Sequence, residues 1–534
     1  GKYPDSGDDI LQDIISLVNI SNMYIDSAFM GLTKIEIDHI ADYAPFLLES
    51  LDEIFLIQEE SNDKLVERYY DLFSYTKKVD YRYLIKAGQL FAALNYRYDL
   101  DRLRDVLMDS GSDPAKDILI DRMVQLSSVV SGDSTIPVMG RVIVSGYESI
   151  TYSEEAAIWI DLGGDDIYLG YCGSVPYTIH SSTNHNFKSG RTGIHIDLGG
   201  NDKYIRNTPG AVGSGLCGVG CIIDLQGDDT YSGGRLSIAS AFCGVGMIVD
   251  ESGNDSYISQ EIAQGFACFG VGLLYDGGGN DLYHAGRMAQ GIGMTKGLGL
   301  LVDNSGDDEY IASFKRPNGY GNENTWDGLS QGVGLGFRHV AAGGIGILGD
   351  RSGNDYYEAG NFSQACGYFF GFGLLEECSG DDIVIGNRYT QGGGAHQAVS
   401  FFRDRSGNDR YRGNEAINQG GAWDIQTSIF IDDSGDDSYE GVTYSQGGSA
   451  QTAFALFIDG DGADRYKSGN YSNGDSGELT YHPDYDARNL SISIDLGGKT
   501  DDYLNTGGKR DNNIFIITDD DKKAETGDGI FWDR

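Results

Sequence analysis

From about residue 158 to residue 503 the apolar and polar positions recur in a fixed order. Two adjacent apolar residues precede a polar turn, as in Met247-Ile248 before Asp250 and Leu273-Leu274 before Asp276. The turn reads Asp-x-x-Gly-[Asp/Asn]-Asp-x-Tyr. Nine intact copies begin at Asp161, Asp197, Asp224, Asp250, Asp276, Asp303, Asp350, Asp404 and Asp432. Altered copies begin at Glu377, Asp459 and Asp495, and a worn one lies near 142–152. The usual spacing of about 27 residues is that of stacked repeat units. Each unit is expected to hold three short strands, exemplified by Val271–Asp276, Asp281–Ala285 and a segment after Gln290-Gly291. The predicted fold is therefore mainly β: a parallel β-helix (solenoid) of about twelve coils of about 27 residues, with an α-helical N-terminal domain.

Residues 1 to about 133 are Gly-poor, with apolar residues at helical spacing. Thr33-Lys-Ile-Glu36 is a capping box opening one helix, and Asp113-Pro114 is expected to open another. The expected organisation is a helical domain over 1–135 capping one end of the solenoid, repeats over 136–505, and a C-terminal cap over 506–534 around Ile514–Ile517 and Ile530–Trp532.

In stacked coils each repeat position becomes a column. The residue three before the first Asp (Ile158, Ile194, Cys221, Met247, Leu273 and onward) is expected to form the core column. The next column is equally apolar, and neighbouring strand residues face opposite ways. If one column points outward it makes an apolar stripe, a surface for a homo-oligomer. A Gln column (Gln264, Gln290, Gln331, Gln364, Gln391, Gln419, Gln446) is expected to form a structural amide ladder. The Tyr column at position eight is expected to stack, or, if exposed, to hold sugar rings.

The sixth position supplies the candidate chemistry: Asp166, Asp202, Asp229, Asp255, Asp281, Asp308, Asp355, Asp409 and Asp437. Carboxylates stacked at coil spacing repel, so something must offset them. A hard cation held by carboxylates and turn carbonyls would do so, and Ca²⁺ suits such all-oxygen sites. The competing explanation is that Asp and Asn only brace the turn through local hydrogen bonds. The turn Gly253-Asn254-Asp255-Ser256-Tyr257 and its counterparts resemble the hemolysin-type calcium-binding (RTX) repeat over about five residues in each 27. That resemblance implies Ca²⁺ bound through the sixth-position Asp and backbone carbonyls of a parallel β-roll.

The net charge of −42 argues against nucleic acid as a partner and for cations or basic ligands. Seven Cys occur without C-x-x-C spacing, which removes the common zinc, haem and thioredoxin motifs. No run reaches the roughly 18 apolar residues of a membrane helix. Insertions near 171–192, 313–340 and 470–489 break the period, and loops on a rigid scaffold often carry function. The middle one holds the candidate ligand-binding residues Tyr320, Trp326 and Asp327; Tyr177, His180, His185 and Lys188 belong to the first. The expected function is a calcium-stabilised module outside a cell, at its surface or in a periplasm, with a structural, adhesive or assembly role toward a surface polysaccharide or protein. The alternative is a carbohydrate-active enzyme, a polysaccharide lyase or hydrolase, with the insertions forming its cleft.

Overall fold

The computed structural model describes residues 7–49, 63–92, 94, 100, 118–131, 134–175, 192–313, 320, 325–338, 340–482, 484–485, 487–497, 500–504, 513–517 and 527–533. The protein is mainly β, with long parallel sheets in which each repeat adds strands in register. It divides into two compact units, Gly1–Gly279 and Asn280–Arg534.

In the first unit the long sheet runs through Ser134–Ser145, Ile158–Asp161, Thr192–Asp197, Val219–Asp224, Val245–Asp250 and Val271–Tyr275. The register is set by the repeat: Asp161 pairs with Asp197, Asp197 with Asp224, and Asp224 with Asp250. A second sheet carries the Tyr column (Lys203–Arg206, Thr230–Gly233, Ser256–Ser259). A third holds two-residue strands such as Gly215–Leu216 and Ala241–Phe242. The second unit repeats the scheme and ends with Leu490–Asp495 pairing in parallel with Asp528–Asp533. Ile514–Ile517 folds antiparallel onto that last strand.

Parallel stacking in register forces backbones close at the turn. At position four, a Cβ on Gly227 would lie 1.7 Å from the Gly200 carbonyl oxygen, so only glycine fits. The Gln column lines the next corner with left-handed backbone, such as Gln290 at φ 67° and Gly291 at φ 78°. From Gln391 onward its amides form a ladder: Gln419 Nε2 donates to Gln391 Oε1, Gln446 to Gln419, and Asn473 Nδ2 to Gln446 Oε1, at 3.0, 3.0 and 2.8 Å, whereas Gln290, Gln331 and Gln364 donate to the backbone carbonyls of Tyr283, Tyr310 and Ile385.

Four helices are described: α1 (Gly7–Phe29), α2 (Lys34–Glu49), α3 (Asp63–Thr76) and α4 (Tyr81–Gln89). The capping box forms, with Thr33 N–H donating to Glu36 Oε2 at 2.7 Å and Glu36 N–H to Thr33 Oγ1 at 3.3 Å. The helix expected after Pro114 is not found over 118–131. Ile118–Ser131 is instead a strand, paired antiparallel with Ser134–Ser145. This hairpin supplies an edge partner for the first repeat strand, a constraint that outweighs local helical spacing.

The core column is also corrected. The residue two before the first Asp points inward: Ile222, Ile248, Leu274, Leu301, Leu348, Leu375, Phe402, Phe430 and Phe457 are all buried. The residue three before it faces out. In the first unit that outer face is covered by helices rather than left to solvent: α1 and α4 contact strands Thr192–Asp197, Val219–Asp224 and Val245–Asp250. Ser21 Oγ lies 2.9 Å from Thr192 Oγ1, and Gly88 sits against the Val245 side chain. The described parts of α1 and α4 thus lie along a sheet face, and α1 also contacts the hairpin strand Ile118–Ser131. In the second unit the same positions (Leu374, Phe401, Ile429, Leu456) are only half-buried, and Ile345, Val399 and Leu490 beside them are 44%, 36% and 38% exposed.

Candidate functional site

Each turn buries two carboxyl groups that do different work. The first-position Asp makes an Asx turn with one oxygen: Asp197 Oδ1 accepts from Gly199 N–H at 3.1 Å, and Asp276 Oδ1 from Gly278 N–H at 2.9 Å. Its other oxygen meets the Tyr column. The sixth-position Asp ties coil to coil. Its Oδ1 accepts the backbone N–H of the same position one repeat earlier, as in Asp166 to Asp202 (2.5 Å), Asp202 to Asp229 (2.6 Å), Asp229 to Asp255 (2.6 Å) and Asp281 to Asp308 (2.6 Å). The pattern continues through Asp355, Asp409 and Asp437, each accepting at 2.7 Å. Asp166, at the start, accepts from Ile150 N–H at 2.6 Å. All nine predicted residues are buried, Asp166, Asp202, Asp229 and Asp255 in the first unit and Asp281, Asp308, Asp355, Asp409 and Asp437 in the second. Turn bracing is therefore real.

The fifth position braces in the reverse sense on the exposed side. Asp228 Oδ1 accepts both the backbone N–H and the Nδ2–H of Asn254, at 2.8 and 2.9 Å. Asn354 on Asp307 and Asn408 on Asp381 repeat this bidentate contact. The near-alternation of Asp and Asn is thus explained by amide donors seated on carboxylate acceptors, without a cation.

The second oxygen of the sixth-position Asp is met by a Tyr hydroxyl in Asp166, Asp409 and Asp437, at 3.4, 3.5 and 3.3 Å, but bracing leaves it unexplained in others. Asp202 Oδ2 and Asp229 Oδ2 are buried with no hydrogen-bond partner, as are those of Asp355, Asp382 and Asp464. Around them the first-position carboxylates converge. Asp197, Asp202 and Asp224 each offer an oxygen within 4.8 Å of the others; so do Asp224, Asp229 and Asp250, and Asp303, Asp308 and Asp350. Asp224 belongs to two such triads, so in the first unit consecutive triads share a carboxylate. The sequence reading missed the first-position Asp as a possible ligand, although it recurs as faithfully as the sixth. It also missed Asp501, whose Oδ1 accepts from Asp464 N–H at 2.8 Å, and Asp533, paired with Asp495, because insertions hide their register.

The Tyr column is stacked and fully buried, with ring centroids 4.8 Å apart for Tyr204–Tyr231 and 4.6 Å for Tyr310–Tyr357. That burial removes it as a sugar platform. Its hydroxyls bridge the carboxyls of neighbouring repeats. Tyr204 Oη lies 2.9 Å from Asp197 Oδ2 and 2.8 Å from Asp224 Oδ2; Tyr411 Oη lies 2.7 and 3.0 Å from Asp404 and Asp432. One hydroxyl carries one hydrogen. The second carboxylate therefore needs a proton of its own or a cation nearby. Charge gives the same answer: two carboxylates about 5 Å apart repel by about 3 kcal/mol at an effective dielectric near 20. Burial, then the Asp197 charge, push Asp202 up to about 10, and burial pushes Asp229 up to about 8. Asp224 and Asp250 are raised well above the usual carboxylate range, also mainly by burial. Burial and mutual repulsion therefore both oppose full ionisation of these carboxyls.

The insertions are reached only in part. Tyr177, His180, His185 and Lys188 lie outside the described residues. Tyr320 is half-exposed beneath the Arg388 guanidinium, 4.4 Å from its ring centroid. Trp326 is bonded to the strand before it and Asp327 to the following repeat. Trp326 Nε1 donates to Ala312 O at 3.1 Å, and Asp327 Oδ1 accepts from Asn361 Nδ2 at 3.1 Å. Cys172, Cys221, Cys268, Cys366 and Cys378 are free thiols, all but Cys378 buried. Among the described residues, no helix is long and apolar enough to cross a membrane. Comparison with protein-family models, curated proteins and solved structures found no match.

Proposed function

We propose that this chain is a calcium-stabilised parallel β-helix that serves as a structural or assembly module in an extracellular, cell-surface or periplasmic setting. The observation that carries this reading is the set of buried, unpartnered Oδ2 atoms of Asp202 and Asp229, each within a triad of carboxylate oxygens. A divalent ion there would cancel charge that the fold otherwise concentrates. It would be held by Asp197, Asp202 and Asp224 in one rung and by Asp224, Asp229 and Asp250 in the next. Ca²⁺ fits the all-oxygen donor set, and many weak sites suit millimolar calcium.

The assembly role rests on a separate feature, the half-exposed apolar outer face of the second unit. Contiguous apolar surface of this kind is characteristic of interaction sites. A second copy of the chain is the simplest occupant, because the equivalent face of the first unit already takes an apolar cover from its own helices.

One specific observation favours a competing occupant of the column. The bridging Tyr hydroxyls would be equally satisfied by protons on alternate carboxyls. Thermal unfolding of chelator-treated protein, titrated with Ca²⁺ and separately with Mg²⁺, separates the two. A ligand bound only to the folded state raises the midpoint with its concentration. The calcium reading requires a rise specific to Ca²⁺ that grows from pH 6 to pH 8, because the ion displaces protons. An unchanged midpoint would leave protons as the neutralising species and remove calcium from the function.

A further inference from the structure

A different cluster lies in the second unit, away from the carboxylate column. His396 and Asp424 occupy equivalent corners of consecutive repeats, both with left-handed backbone, at φ 64° and 63°. Their backbones are tied to the stack: His396 N–H donates to Trp423 O at 3.3 Å and Asp424 N–H to Ala450 O at 3.2 Å. The third insertion brings His482 to the same point. His396 Nδ1 contacts Asp424 Oδ2, and His482 Nε2 lies 2.5 Å from Asp424 Oδ1. Two of the chain's eight histidines thus converge on one carboxylate.

The arrival of His482 is prepared by its neighbours. Gln451, one repeat beyond Asp424, accepts with Oε1 from the backbone N–H groups of Thr480 and Tyr481, both at 2.8 Å. At the base of the insertion Asn489 Oδ1 accepts from Thr452 N–H at 2.7 Å. The rings are fixed as well: Tyr368 stands edge-on to His396 at 5.1 Å, and Tyr485 stacks on His482 at 5.0 Å. The three side chains keep 18%, 12% and 22% exposure, so the cluster is held from below and open to water on one side.

We propose that His396, Asp424 and His482 form a binding site for a first-row divalent transition ion of the zinc class. Two imidazole nitrogens and one carboxylate oxygen are the donor set such ions prefer, and hard Ca²⁺ does not. Three protein ligands with an open side leave room for a water in the remaining position. The ion would also pin the third insertion to the repeats, since His482 alone of the three comes from it.

The test uses the untagged full chain, stripped with chelator and then held in excess Ca²⁺ so that the carboxylate column is satisfied. Co²⁺ is the probe, followed by its visible absorption, with Zn²⁺ as competitor. One Co²⁺ per chain should bind with the absorption of a four- or five-coordinate nitrogen–oxygen site and be displaced by Zn²⁺. His396→Gln and His482→Gln should each weaken binding at least ~10-fold, while the calcium-dependent unfolding midpoint stays unchanged. Absence of Co²⁺ absorption in the folded wild type would overturn the proposal, as would binding indifferent to both substitutions. The Asp424 contacts would then be a hydrogen-bonded clasp for the insertion. Using two variants from different segments guards against one failing to fold.

Discussion

Replacing Asp229 in two ways separates its roles. Asp229 Oδ1 accepts the buried N–H of Asp202 at 2.6 Å, while Oδ2 has no hydrogen-bond partner. Asn keeps the acceptor and the shape; Ala removes both. A buried donor left without an acceptor costs about 1–3 kcal/mol. At pH 5, without metal, Asp229→Ala should therefore lose about that much stability by urea unfolding. Asp229→Asn should stay within ~0.5 kcal/mol of wild type. The sign then changes with pH. The folded carboxyl titrates at about 8, above its ordinary value of 3.8. Its proton-linked stabilisation is complete below 3.8 and is lost as pH rises through 8. At pH 9 without metal, Asp229→Asn should be the more stable protein. Saturating Ca²⁺ at pH 9 should restore the lead to wild type, because Asn supplies a weaker, uncharged ligand. Equal losses for Asn and Ala at pH 5 would refute the bracing geometry. Parallel pH profiles for Asn and wild type would refute the buried-charge argument.

Other positions make independent demands. Gly227→Ala should cost about 3 kcal/mol or prevent folding, read by circular dichroism and urea midpoint, because its Cβ would meet the Gly200 carbonyl oxygen at 1.7 Å. Tyr411→Phe removes the hydroxyl between Asp404 and Asp432 and should cost about 1–3 kcal/mol while leaving the secondary structure intact. The metal-free unfolding midpoint of the whole chain should fall between pH 5 and pH 10, since Asp202 and Asp355 are both held at about 10, chiefly by burial. Ile429→Lys with Leu456→Lys should abolish self-association in analytical ultracentrifugation and leave the unfolding midpoint nearly unchanged.

What could be read from the sequence follows from in-register stacking. Such stacking repeats a residue's environment every turn, so the Asp, Tyr and Gln columns were legible as columns, although the Gln amides bond to one another only from Gln391 onward and earlier ones bond to backbone carbonyls. The direction of the paired apolar residues was not legible. Met247 and Ile248 are both buried, one under helices and one in the core, and an alternation rule cannot rank two apolar neighbours. The strand Ile118–Ser131 was missed because its identity depends on a partner, Ser134–Ser145, rather than on its own spacing. The sixth-position Asp residues were found, but their partners in each triad were not, because the fold and not the turn brings Asp224 onto Asp202. The His396–Asp424–His482 cluster joins two adjacent repeats to an insertion, a meeting that no linear motif announces.

The most direct test of the central claim is diffraction from crystals grown in calcium, collected at a wavelength where calcium scatters anomalously. The account predicts a row of anomalous peaks along the column, one bounded by Asp197, Asp202 and Asp224 and the next by Asp224, Asp229 and Asp250. A column without anomalous density at saturating calcium would contradict it and assign the neutralising role to protons shared among the carboxyls and tyrosines.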